Sequence, residues 1–142
     1  MKNFVGKNNQ IIILEIGLNH LGETNYLKQI VKEIIKLKVK NVTIQFRNKK
    51  YYFGFKKKLL LSKNQIDYVF KEFKSNKIKV GLAIEDYSFV EYIGNNKPDF
   101  FKILSYSYNN LKLIEQISKF NKKIYISLGL SNIKSTLLLD KK

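Results

Sequence analysis

Residues 11–22 read Ile-Ile-Ile-Leu-Glu-Ile-Gly-Leu-Asn-His-Leu-Gly, and the change of pattern within them decides the fold. From Ile11 to Ile16 the run is almost continuously apolar and rich in β-branched residues, as a strand covered on both faces requires. Gly17 to Gly22 is turn-rich. Past it, Thr24 predicts a helix N-cap, and Leu27, Ile30, Val31, Ile34, Ile35 and Leu37 recur at helical spacing with lysines and Glu33 between them. A strand, a turn and a helix in succession make one β-α unit.

The same alternation continues outward. Asn41 to Phe46 predicts a second strand, and Arg47 to Leu61 a basic, aromatic loop without a period. Ser62 is expected to cap a helix carrying Ile66, Val69, Phe70 and Phe73 on one face. Ile78 to Ile84 predicts a third strand and Ser88 to Ile93 a short helix. Pro98 and Asp99 punctuate the approach to a fourth strand, Phe100 to Leu104. Asn109 or Asn110 opens a helix through Leu113, Ile114 and Ile117, Ile124 to Ser127 predicts a fifth strand, and Ser131 begins a last, incomplete helix. The strand starts recur about every 28 residues, the length of a strand-plus-helix unit. Such repeats predict an α/β fold with a parallel sheet and right-handed crossovers. No linker divides residues 1–142, which read as a single domain. A doubly wound open sheet of five strands fits the length. A (β/α)8 barrel takes about 250 residues, of which this chain would supply the first four to five units.

Composition narrows the function classes. The chain has 142 residues, 44% of them hydrophobic, which argues against disorder despite a formal charge of +16. No apolar run approaches the roughly 18 residues of a membrane span, and no secretory signal is recognisable, so the expected address is the cytoplasm, away from membranes. The absence of cysteine excludes disulfides and thiolate chemistry. Twenty-seven Lys+Arg against 11 Asp+Glu would suit a polyanionic partner, yet Arg47 is the only arginine. Arginine is the usual bidentate reader of phosphate and guanine. The wealth of Ile, Asn, Lys, Tyr and Phe, residues of AT-rich codons, points instead to lysines on solvated faces, and nucleic acid is not the expected partner.

Polar residues gather where each strand meets its following loop: Glu15 with Asn19 and His20, Gln45, Glu85 with Asp86, Lys102 with Ser105, and Ser127 with Ser131. Parallel α/β folds bind ligands at these carboxyl ends. Glu15 within Ile-Ile-Ile-Leu-Glu-Ile, and Lys102 within Phe-Phe-Lys-Ile-Leu, are each costly to bury alone. Two readings remain open on physical grounds: the two residues pair with each other, or each faces a ligand.

Ile12 to Gly22 resembles the opening strand and loop of the sialic acid synthase (N-acetylneuraminate synthase) family. In the family's order, Val42-Thr43-Ile44-Gln45-Phe46 is similar to its second strand and Leu61-Ser62 to the start of its second helix. Phe101-Lys102-Ile103-Leu104-Ser105, followed by Asn109-Asn110-Leu111, resembles the fourth strand and loop, and Ile126-Ser127-Leu128-Gly129-Leu130-Ser131 the fifth. The resemblance implies a partial (β/α)8 barrel, a transferase reaction condensing phosphoenolpyruvate with an N-acyl hexosamine, and a place in sialic-acid-type sugar biosynthesis. It implies Glu15 as the catalytic carboxylate near the reacting centre. Gln45, Lys102, Ser105, Ser127 and Ser131 would bind the phosphoenolpyruvate carboxylate and phosphate, and Asn19 and His20 would belong to the first loop. Lysine and hydroxyl donors on rigid strand ends suit anion recognition.

Three departures from the family pattern bear on activity. Thr43 stands where the second strand usually carries a lysine, and Leu82-Ala83-Ile84-Glu85 where the third usually ends Ser-Thr-Pro-Phe. A lost cation and a gained carboxylate are both expected to weaken binding of a doubly anionic substrate. The family's divalent metal, manganese or magnesium, is held by histidines of the later part of the barrel. His20 is the only histidine here, and it is expected to shape the first loop rather than hold a metal, so no cofactor is expected on this chain alone. The chain accordingly reads as incomplete or inactive alone. Its open sheet edges predict a partner, either a second copy or a second polypeptide supplying the rest of the barrel. Two other function classes stay in view. One is a basic nucleic-acid-binding module using the Lys49–Lys58 loop with Tyr51, Tyr52, Phe53 and Phe55. The other is a non-catalytic interaction protein.

Overall fold

The computed structural model describes residues 10–129, and there the apolar runs become five strands: β1 Leu14–Ile16, β2 Asn41–Phe46, β3 Lys79–Ile84, β4 Phe100–Ile103 and β5 Lys123–Ile126. All four pairings are parallel and the spatial order is the chain order, β1-β2-β3-β4-β5. A doubly wound sheet reverses its order at a switch point. Here each strand is added to the same growing edge, so the architecture is a partial (β/α)8-type barrel of five parallel strands alternating with helices.

Which face the helices cover follows from strand parity. Side chains alternate across a strand, and the apolar core takes one set from each: Ile16, Val42, Ile44, Phe46, Val80, Leu82, Ile84, Phe101 and Ile103, flanked by Leu14, Ile124 and Ile126. Against them pack Leu27, Val31 and Ile34 of α1 (Thr24–Lys36), Ile66, Val69, Phe70 and Phe73 of α2 (Lys63–Ser75), Phe89 and Val90 of α3 (Ser88–Tyr92), and Leu113 and Ile117 of α4 (Leu111–Ser118). The opposite parity belongs to the inner face of the arc. It carries Glu15, Thr43, Gln45, Gly81, Ala83, Phe100, Lys102 and Tyr125. The expectation that the first strand is covered on both faces is thus corrected. Helices cover the outer face, and the polar breaks in the apolar runs line the inner one. The first strand is also shorter than its apolar run: Ile11 is 52% exposed, and Ile12 contributes only its carbonyl, which accepts from Asn41 Nδ2 at 3.2 Å.

Two other local expectations change. The N-cap of α1 is Glu23, without a side-chain cap bond. Thr24 stands one residue inside, and its hydroxyl accepts from Gln65 Nε2 at 3.0 Å, tying the starts of α1 and α2 together. The 47–61 segment contains two short 3-10 helices, Lys49–Tyr52 and Gly54–Leu59, the first capped by Asn48. By contrast Ser62 and Gln65 form a full capping box on α2, and Asn110 Oδ1 accepts from Leu113 N to cap α4. The last expected helix, beginning at Ser131, lies outside the described residues.

Gly81 makes room for the Phe100 ring on the inner face. A Cβ at residue 81 would collide with the Phe100 ring, which is itself 4% exposed. Gly81→Val is therefore expected to cost about 1–3 kcal/mol by overpacking. A urea denaturation series would read this as a lower midpoint at unchanged slope.

Candidate functional site

Two charged residues 87 positions apart in sequence meet at the carboxyl ends of the strands. Lys102 Nζ donates to Glu15 Oε2 at 2.8 Å, and both side chains are 29% exposed. The Thr43 hydroxyl, fully buried beside β1, donates to the same Glu15 oxygen at 3.2 Å. Register explains the meeting. Glu15 lies opposite Thr43, while Lys102 sits one inward-facing rung higher, in the row of Gln45 and Ala83. Ala83, in the same row, carries only a methyl group, so the lysine stem can reach back across two strands. Of the two readings left open by the sequence, the pairing of Glu15 with Lys102 is the observed one.

At the mouth of the arc, Ser105 Oγ and Ser127 Oγ share a hydrogen bond of 2.8 Å, just past the ends of β4 and β5. Ser127 is held there by its own N–H, which donates to Ile103 O at 2.9 Å. Gly129 lies alongside: a Cβ there would stand 3.3 Å from Ser105 Oγ. Gln45 points toward the first loop, with its Oε1 3.2 Å from where a Gly17 Cβ would be. The strand ends thus carry a cation paired with a carboxylate, two paired hydroxyls and an amide, donor types suited to holding an oxyanion. Ser131 lies outside the described residues.

The first loop is built around His20, which is 1% exposed. Its Nδ1 accepts the Gly22 N–H at 3.0 Å, so the neutral ring with its proton on Nε2 is the form the loop uses. Gly22 has φ +83°, and a Cβ there would run into the Lys58 carbonyl oxygen, which is how the 47–61 segment docks on this loop. Asn19 is exposed at the turn. Burial holds the His20 imidazole below its ordinary pKa of 6.5. The unfolded chain therefore takes up a proton first as pH falls, and stability is expected to be level above about pH 6.5 and to decline below it. Melting temperatures measured from pH 8 to pH 5 should show that decline in the wild type and a flatter profile in His20→Asn. Identical profiles would contradict this role for His20.

The most buried charge of the strand ends has a partner that sequence reasoning missed. Glu85, 6% exposed, follows β3, and its Oε1 stands 2.5 Å from Arg47 Nε, which follows β2. The contact is a close ion pair without hydrogen-bond alignment. The other oxygen, Oε2, accepts from Asn48 N at 3.1 Å and Asn48 Nδ2 at 2.9 Å. Arg47 lies between two rings, 5.1 Å from the Tyr51 centroid and 4.9 Å from that of Tyr106. The Glu85 charge is thus compensated by Arg47 and spent on ordering the β2–α2 connection. Beside it, burial raises the Asp86 pKa, but hydrogen bonding from Ser88 and the charge of Lys49 outweigh that and hold it below the usual value. Tyr52, whose hydroxyl accepts the Arg47 N–H at 3.0 Å, has its pKa raised, first by burial.

The described residues do not fit a divalent cation. His20 has Nδ1 engaged, and among the described residues no group of three or more His, Asp or Glu side chains could hold a metal ion. No helix among them is long and apolar enough to cross a membrane. The exposed rings of Phe53 (86%) and Phe55 (81%) belong to the Lys49–Lys58 loop, on the same side of the sheet as the strand ends.

Comparison with known proteins agrees with this fold. Residues 23–137 match the NeuB family. An uncharacterized protein of Methanocaldococcus jannaschii is 30% identical, over 92% of this chain and 41% of that protein. Among solved structures, the N-acetylneuraminic acid (sialic acid) synthetase of Leptospira borgpetersenii superposes with a TM-score of 0.79 at 18% identity, over 96% of this chain and 53% of that one. The spore coat polysaccharide biosynthesis protein SpsE of Bacillus subtilis gives 0.75 at 18% identity, over 93% and 40%. The chain thus spans about two fifths to one half of the relatives it matches.

Proposed function

The chain belongs to the NeuB family, and from that premise we propose that its strand-end face binds phosphoenolpyruvate in a carbohydrate-biosynthetic condensation with an N-acyl hexosamine. The observation that carries this reading is the convergence of Glu15 with Lys102 at 2.8 Å and of Ser105 with Ser127 at 2.8 Å on one polar face of an otherwise apolar sheet. Lys102 is the cation for the incoming carboxylate or phosphate, and the two serine hydroxyls, paired with each other when no anion is present, turn to donate to it. As Lys102 is drawn to the anion, Glu15 keeps the Thr43 hydroxyl and gains a free oxygen lone pair. It is then free to accept a proton from the water that attacks the phosphate-bearing carbon and to pass a proton to the sugar's carbonyl oxygen. The methylene carbon of phosphoenolpyruvate bonds to the aldehyde carbon of the open-chain sugar, whose C=O π bond opens to an oxygen that takes a proton from water. The hydroxyl of that water adds to the phosphate-bearing carbon, and the adduct collapses to a ketone as its C–O bond to phosphate breaks, the phosphate leaving with the hydroxyl proton. Any metal the reaction employs is not held by the described residues. The rest of a closed barrel, in the same polypeptide, a second copy or another chain, would cover the face and exclude water.

The test is a melting curve with and without millimolar phosphoenolpyruvate, followed by phosphate release in the presence of N-acetylmannosamine and manganese. A ligand at about 100 times its dissociation constant adds about 2.7 kcal/mol to stability, a clear rise in melting temperature. Turnover, where it occurs, is expected to vanish in Glu15→Gln while the melting shift persists. No shift in the wild type at millimolar phosphoenolpyruvate would overturn the reading.

A further inference from the structure

The opposite rim of the sheet holds a second concentration of charge that the strand-end site does not use. Lys40 precedes β2, Lys77 precedes β3, Lys79 opens β3 and Lys123 opens β5, and the four line one cavity of about 440 Å³. The register puts Lys79 in the row of Asn41 and Lys123 one inward-facing rung higher, in the row of Gly81 and Phe100, and Lys79 N donates to Lys40 O at 2.9 Å. All four lysines are exposed. Asp99 is the one carboxylate of the lining. Its Oδ2 is taken by the Val80 N–H at 2.8 Å, and among the described residues it makes no ion pair with any of the four. Half-buried Tyr125 supplies a flat wall, with Lys123 Nζ 5.8 Å from its ring centroid.

A lysine-rich composition spreads cations over solvated faces, but it does not require four of them, from three strand approaches, to surround one concavity. Like charges gathered around low-dielectric walls repel one another and focus a positive potential into the space between them. A compact anion of several charges relieves that repulsion at every lysine at once, whereas a monoanion can satisfy only part of it. We propose that this rim is a binding site for a polyphosphate anion of three or more charges, either free or as the phosphate chain of a nucleotide stacked on Tyr125.

Calorimetric titration of the full chain at about 0.15 M salt, an ionic strength that screens exposed single charges, with inorganic triphosphate and with ATP tests this. Lys77→Gln/Lys79→Gln is compared with Lys32→Gln/Lys71→Gln, which removes the same charge from exposed helix positions. Saturable binding is expected, weakened at least tenfold by the rim pair and less than threefold by the helix pair. ATP binding tighter than triphosphate identifies the nucleotide, and equal affinity identifies the phosphate chain alone. Equal losses in the two variants, or no saturable binding by the wild type, would overturn the proposal. Ser105→Ala/Ser127→Ala separates this site from the strand ends. It should leave triphosphate affinity within twofold, and a loss matching the rim variant's would put the anion at the other end of the sheet and sink the inference without touching the phosphoenolpyruvate reading.

Discussion

Lys102→Met is expected to lower affinity for phosphoenolpyruvate by about 10- to 100-fold, which corresponds to about 1.4–2.7 kcal/mol. That is the range of a hydrogen bond to a charged group, about 1.5–3 kcal/mol. The substitution keeps the length and apolar stem of the side chain and removes only the ammonium group. Its cost without ligand is smaller. Glu15 loses its cation but keeps the Thr43 hydroxyl, and at 29% exposure it still reaches water. The phosphoenolpyruvate-dependent rise in melting temperature should therefore disappear, while the ligand-free melting temperature moves by only a few degrees. A variant that keeps the full ligand shift would remove Lys102 from the anion site.

Glu85→Ala should have the largest effect on stability, about 3–5 kcal/mol, the cost of breaking a buried ion pair by removing one partner. The Arg47 guanidinium is left without its counter-charge, and the Asn48 N–H and amide lose their acceptor together. Against a domain stability of about 5–15 kcal/mol this is a large fraction, and urea denaturation would show it as a midpoint displaced by one molar or more at an ordinary slope of about 1–3 kcal/mol/M. Arg47→Met/Glu85→Leu should recover much of the loss, because it removes both charges and fills the space. A double variant as unstable as Glu85→Ala would mean that the Asn48 contacts, not the ion pair, carry the effect.

The sequence made the strands and most helix starts legible because they rest on local chemistry. Ser62 with Gln65 and Asn110 with Leu113 N are contacts three residues apart, and the apolar runs need no partner to be recognised. What it hid depends on parity and distance. In a run such as Lys79–Ile84 every residue but the first is buried, so nothing in the run tells the helix-facing residues from those of the inner face. Glu15, Thr43, Gln45 and Lys102 interrupt the pattern, and of these Glu15 and Lys102 were legible as a pair of unlike charges at strand ends. Arg47 and Glu85 had the same signal, the only arginine just after the second strand and a carboxylate just after the third. Adjacent parallel strands bring their ends together, so that pair could have been read. The 3-10 helices of the 47–61 segment escaped because they are too short for a 3.6-residue period to emerge. Thr24 misled for a tertiary reason: its hydroxyl serves Gln65, 41 residues away, instead of its own helix.

Backbone amide NMR of the 16.7 kDa chain during a phosphoenolpyruvate titration would test the central claim most directly. Binding at the strand ends predicts saturating shifts at Glu15, Gln45, Lys102, Ser105 and Ser127, with Lys40, Lys77, Lys79 and Lys123 at the other rim unmoved. Shifts confined to the lysine rim, or spread over exposed lysines without saturation, would contradict it.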